Sequence, residues 1–112
     1  MTESSPIFKH TQALILWLLQ HTGKFPKSER FRLAKQLTDA SFTFHHHLLA
    51  LVYAPDKSEL FTLADIELAK LRTYGRLSLE MSLTSMKQYE YFAGQITEIG
   101  RLLGGWKRKL AA

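Results

Sequence analysis

Hydrophobic and polar positions recur along this chain in steps of three and four, and no stretch alternates with period two. In the last third, Tyr89, Phe92, Ile96, Ile99, Leu103, Trp106 and Leu110 form an unbroken heptad seam. Such a seam marks a helix that buries one stripe against its neighbours. Three earlier segments read the same way. Ile7, Leu14 and Leu18, flanked by Ile15 and Leu19, give a first helix its face. Phe31, Ala34, Leu37, Phe44, Leu48, Leu51 and Val52 do so for a second, and Leu60, Leu63, Leu68, Leu71, Leu77 and Met81 for a third.

The punctuation between these runs sets the boundaries. Ser5 before Pro6 is an N-cap and first-turn proline pair, and Gly23 stands where a glycine just past a helix stops it. A second helix starts near Pro26 to Ser28 and ends before Pro55, because the residue preceding a proline avoids the helical region. Asp56 with Glu59, and Ser85 with Gln88, have the spacing of a capping box. The predicted helices therefore span residues 5–22, 27–54, 57–82 and 86–110. Short connections make the expected fold all-α: an up-down-up-down antiparallel four-helix bundle in a single domain, residues 1–112.

The C-terminal helix carries an internal conflict. EIGRLLGGWKRKL, residues 98–110, contains three glycines, and each glycine inside a helix costs roughly 1 kcal/mol relative to alanine. On a helical wheel, Gly100 and Gly104 share a side next to the apolar face, while Gly105 lies close to Arg101 and Arg108. One reading is a Gly-x-x-x-Gly strip that admits another backbone at close range. The other is a helix that ends at Gly104–Gly105, with the following cations complementing its negative end. Because Trp106 and Leu110 continue the seam, the helix is expected to run on past the glycine pair.

Composition narrows the chemistry. The chain has 112 residues, 46% of them hydrophobic and 22% charged, enough to bury a core without staples. It has no cysteine, so disulfides, thiolate catalysis and cysteine-based zinc sites are excluded. His45, His46 and His47 are consecutive, so on a helix they point about 100° apart and do not converge on one ion. No HExxH pair, GxGxxG loop or phosphate loop occurs. No arginine has a histidine five positions on, the spacing used by small helical ribonucleases of the HEPN type. Neither an enzyme, a metal nor a cofactor is expected. The longest apolar run, ALILWLL at residues 13–19, is far short of the about 20 residues that cross a bilayer. The N-terminal MTESSPIFKH lacks the pattern of a secretory signal, so the expectation is a cytoplasmic protein without a membrane partner.

The net charge of +5 favours anionic partners. Its cations cluster in three places: Lys24, Lys27, Arg30, Arg32 and Lys35; the pair Arg72 and Arg76, one helical turn apart; and Arg101 with Lys107, Arg108 and Lys109.

Three segments then carry a resemblance: FPKSERF (residues 25–31), LAKLR (residues 68–72) and EIGRLLGGW (residues 98–106). Together they resemble the accessory variability proteins of diversity-generating retroelements, the Avd family. That family belongs to a wider set of four-helix-bundle proteins that includes those encoded in 23S rRNA intervening sequences. The resemblance spans nearly the whole chain. It implies a four-helix bundle that assembles into a barrel-like homopentamer with a positively charged surface. It further implies association with the retroelement's reverse transcriptase and with template-repeat RNA, in support of error-prone cDNA synthesis, by a protein that is not itself a catalyst. Arg72 and Arg76 match basic positions of the third helix, and Arg101 matches the arginine of the C-terminal motif. The residues expected to bind nucleic acid or the reverse transcriptase are Arg72, Arg76, Arg101, Lys107, Arg108, Lys24, Lys27 and Arg30. Gly100, Gly104 and Trp106 are expected to serve helix packing or subunit contact. The alternative is a protein of the rRNA-intervening-sequence type, structural or RNA-associated, with no reverse transcriptase partner.

Overall fold

The computed structural model describes residues 1–111. They form four α-helices: α1 (Pro6–Thr22), α2 (Leu33–Tyr53), α3 (Leu60–Glu80) and α4 (Met86–Ala111). No strand occurs among the described residues. Each helix packs on its neighbours in the chain, and α1 closes the ring against α4. Short connections reverse the direction at each step, so the fold is the expected antiparallel four-helix bundle. Its dimensions, 45 × 24 × 21 Å, are those of a rod about one helix long: α4 alone, with 26 residues, spans roughly 39 Å.

The core is a stack of aliphatic layers. Leu14 and Leu18 of α1, Leu37, Phe44, Leu48 and Leu51 of α2, Leu68 and Leu71 of α3, and Ile96, Ile99 and Leu103 of α4 are all but inaccessible to solvent. Each such side chain contributes about 1.5–3 kcal/mol of transfer free energy. Near one end, Trp106 meets Phe61 edge-to-face with ring centroids 5.7 Å apart, which fastens the last turns of α4 to the first of α3.

At the other end a polar chain joins α1 to the α3–α4 turn. The Ser78 hydroxyl donates to the Gly75 carbonyl at 2.6 Å, and the Thr84 hydroxyl donates to Ser78 Oγ at 2.9 Å. Thr84 Oγ1 is then left as an acceptor, so the Nε2 of His21, 2.7 Å away, carries the proton. The turn itself is a Schellman motif: Leu83 N–H bonds the Ser78 carbonyl and Ser82 N–H the Leu79 carbonyl. Ser82 occupies the left-handed position with φ of 60°.

Several boundaries differ from those expected. Lys27–Glu29 is a short 3-10 turn, and α2 begins only at Leu33. Glu29 is turned inward and buried, and Arg32, with φ −111° and ψ −107°, breaks the helical path. Phe31 therefore does not belong to the apolar side of α2; it is 80% exposed in the bend. The Asp56–Glu59 capping box does not form. Asp56 Oδ1 accepts from the backbone N–H and hydroxyl of Ser58 instead, at 3.0 and 2.8 Å, and α3 starts at Leu60. The buried face of α3 runs through Phe61, Ala64, Leu68, Leu71, Gly75 and Ser78, leaving the expected core residues Leu63, Leu77 and Met81 at the surface. The Ser5 hydroxyl does not cap α1, and Gly23 ends it in the ordinary right-handed region. The Ser85–Gln88 box does form, with reciprocal bonds of 2.8 and 3.1 Å.

α4 runs unbroken through Gly104 and Gly105 to Ala111. Its seam is buried from Phe92 to Trp106, and Leu110 extends beyond the bundle into solvent.

Candidate functional site

A groove of about 350 Å³ lies between α3 and α4. Arg72, Thr73 and Arg76 form its α3 side, and Tyr89, Phe92, Ala93, Ile96 and Thr97 its α4 side. Local sequence explains the arrangement. Leu71 and Gly75 point into the core, so Arg72 and Arg76, each one residue further round the helix, emerge at the rim one above the other. Buried Phe92 and Ile96 lie beneath, and half-exposed Ala93 leaves the opening shallow.

Gly75 sets the depth of this groove. A Cβ at that position would lie 2.3 Å from Phe92 Cε2, well inside van der Waals contact. The Phe92 ring occupies the space that any side chain at residue 75 would take. It is held there by Trp17 and Tyr89, whose ring centroids lie 6.0 and 6.5 Å away. Gly75 is not among the site residues expected from the sequence. Its signal was present: a lone glycine in the middle of a helical run, an arrangement that calls for a packing reason.

The expected binding residues do not form one surface. Only Arg32, Lys35, Lys70 and Arg101 make ion pairs among the described residues. Arg72 and Arg76 are exposed and have no acidic partner. Arg101 is different. Its Nε donates to Glu98 Oε2 at 3.0 Å and its Nη2 to the other carboxylate oxygen. The Arg101 hydrogen bond holds the Glu98 carboxyl below the usual carboxylate range, and the same contact raises the guanidinium. Its charge is therefore largely matched. Lys24, Lys27 and Arg30 occupy the turn between α1 and α2, at the end of the rod where His21 meets Thr84. Lys107 and Arg108 lie in the last turns of α4, at the opposite end, just past the Phe61–Trp106 contact.

Within the chain, the glycine strip lies beside guanidinium groups. Arg72 Nη2 lies 3.1 Å from where a Cβ on Gly100 would stand. Arg108 folds back along its own helix, with Nη1 3.3 Å from the corresponding point on Gly104 and Nη2 3.9 Å from that on Gly105. Each missing side chain gives a planar cation room to lie against α4. Trp106 is buried in its own bundle, packed against Phe61.

The histidine triplet builds no site. His45 packs edge-on against Phe8, and His46 and His47 lie with ring centroids 5.8 Å apart. No group of three or more His, Cys, Asp or Glu side chains suited to a metal occurs among the described residues. Among the described residues, no helix is long and apolar enough to cross a membrane.

Comparison with known proteins adds one positive finding. The sequence profile of the family described as bAvd-like matches residues 6–110, a range that takes in the four helices up to the last residue of α4, with the groove and the glycine strip. No curated protein matches the chain.

Proposed function

The chain belongs to the bAvd-like family, and from that premise we propose that it is the non-catalytic accessory subunit of a diversity-generating retroelement. It acts as a basic cytoplasmic homo-oligomer, a pentamer by family resemblance. It holds the reverse transcriptase and template-repeat RNA together during mutagenic cDNA synthesis. The observation that carries the reading on this chain is the pair of exposed, unmatched guanidiniums of Arg72 and Arg76 at the rim of the α3–α4 groove. Lys24, Lys27, Arg30, Lys107 and Arg108 extend the positive field to both ends of the rod. Such a field draws phosphates in without reading sequence, and binding through it weakens as salt rises because counterions are released. Exposed Leu16, Leu19 and Phe42 support a surface that assembly covers.

Two measurements test the proposal. Co-expressed with a reverse transcriptase of a diversity-generating retroelement, the protein should co-purify as a complex of defined mass; separation of the two at low salt would count against the partnership. In fluorescence anisotropy with a short unpaired RNA, replacing Arg72 and Arg76 together by alanine should weaken binding. It should also flatten the slope of log affinity against log salt by about 1.4, two contacts at roughly 0.7 each for single strands. An unchanged slope would remove these two residues from the interface.

A further inference from the structure

The α3–α4 groove has a feature that phosphate binding alone does not call for. Its floor is apolar and partly aromatic: Phe92 and Ile96 beneath, Ala93 at the opening and the half-buried ring of Tyr89 at one end. Thr73 and Thr97 stand on opposite walls. Arg72 lies toward the Gly100 end, and Arg76, one turn further along α3, lies toward the turn that leads to Tyr89.

A double helix uses only the cations of such a site. Its bases are stacked inside and its phosphates ride on a convex surface, so an apolar recess between two guanidiniums goes unfilled. An unpaired nucleotide uses all of it. The base has two apolar faces that lie on aromatic or guanidinium planes, its edges and the ribose hydroxyl accept and donate hydrogen bonds, and phosphates flank it on both sides. A volume of about 350 Å³ sits near the lower end of the range for small-molecule pockets, roughly 300–1,000 Å³, and suits a single nucleotide.

We infer that the α3–α4 groove takes up one unpaired nucleotide of a single-stranded RNA, its base over Ala93 and Ile96 beside Tyr89 and its flanking phosphates on Arg72 and Arg76. This rests on the nucleic-acid reading above and sharpens it: the protein distinguishes single strands from duplexes without distinguishing sequences.

The test uses the full-length protein and three RNAs of equal length: unpaired, blunt duplex, and an unpaired strand with abasic positions throughout. Anisotropy at one fixed salt concentration should show the unpaired strand binding about tenfold tighter than the other two, the effect of stacking one base. Ala93→Leu fills the recess without altering charge. It should bring the unpaired strand down to the duplex level while leaving duplex affinity unchanged, and Thr97→Leu should act alike if the first variant folds poorly by circular dichroism. Equal affinity for the unpaired and abasic strands overturns the inference and leaves the electrostatic reading standing; that arm needs no variant. Failure of the wild-type protein to bind any of the three overturns both.

Discussion

Two glycines of the same type make opposite predictions. Gly94 is exposed on α4 and a Cβ there would meet nothing within 4 Å. Gly94→Ala should therefore stabilise the protein by about 0.5–1 kcal/mol, through helix propensity alone. Gly75 is buried under the Phe92 ring, with 2.3 Å between the ring and the added carbon. Overpacking of that kind costs about 1–3 kcal/mol, more than the propensity gain returns, so Gly75→Ala should lower stability and distort the groove. Urea denaturation of the two variants separates them by sign. His21 adds a pH dependence. Burial, then the charge of Lys24, holds its imidazole below the ordinary histidine value, and His47 is lowered as well, first by burial. The unfolded chain thus takes up protons at a higher pH than the folded one. Stability should be level above about pH 6.5 and fall as the pH drops from there toward the lower folded values. Tm measured between pH 7.5 and 5 should show that fall, and His21→Gln, which still offers Thr84 a donor, should reduce it.

At the scale of elements, the α3–α4 turn is where local chemistry decides most. Ser82 holds a left-handed φ of 60° at the position after the helix cap, where glycine is the unstrained residue. Ser82→Gly should raise stability by about 1 kcal/mol in thermal or chemical denaturation. The same region shows what the sequence could and could not reveal. The Ser85–Gln88 capping box was legible because each side chain had the other's backbone N–H within reach and no nearer competitor. The Asp56–Glu59 pair has the same spacing, but Ser58 offered Asp56 two donors at closer sequence range. The start of α2 was misplaced for a related reason: nothing in FPKSERF announces that Glu29 turns inward and that Phe31 faces solvent. In α3, tracking leucines set the wrong phase at Leu63 and Leu77, because the helix crosses its neighbours on small residues, Ala64, Gly75 and Ser78. The heptad seam of α4, by contrast, could be read almost to its end, since large apolar residues repeat without interruption.

For the whole molecule, fold class followed from periodicity, whereas the site depended on pairings distant in sequence. The spacing of Arg72 and Arg76 is visible in the chain. That they border a recess follows only from Phe92 settling on Gly75, and that the Arg72 guanidinium reaches α4 follows only from Gly100 standing opposite. Arg101 showed the reverse: its motif position was plain, while its engagement by Glu98 emerged only from the rotamers. The remaining question at this scale is what Gly104 does. Within the protomer, only the tip of Arg108 approaches the space a side chain there would fill, and that residue is exposed. Gly104→Leu should therefore fold, with helix content intact and a gain rather than a loss in helix propensity. A change in assembly would then have to arise between chains. If subunits of the proposed homo-oligomer pack against this strip, light scattering should find Gly104→Leu in smaller species than the wild type. Gly94→Ala serves as the control and should keep the wild-type mass. Full-sized assemblies of a well-folded Gly104→Leu protein would remove the strip from the subunit interface and leave it the narrower role of seating the Arg108 guanidinium.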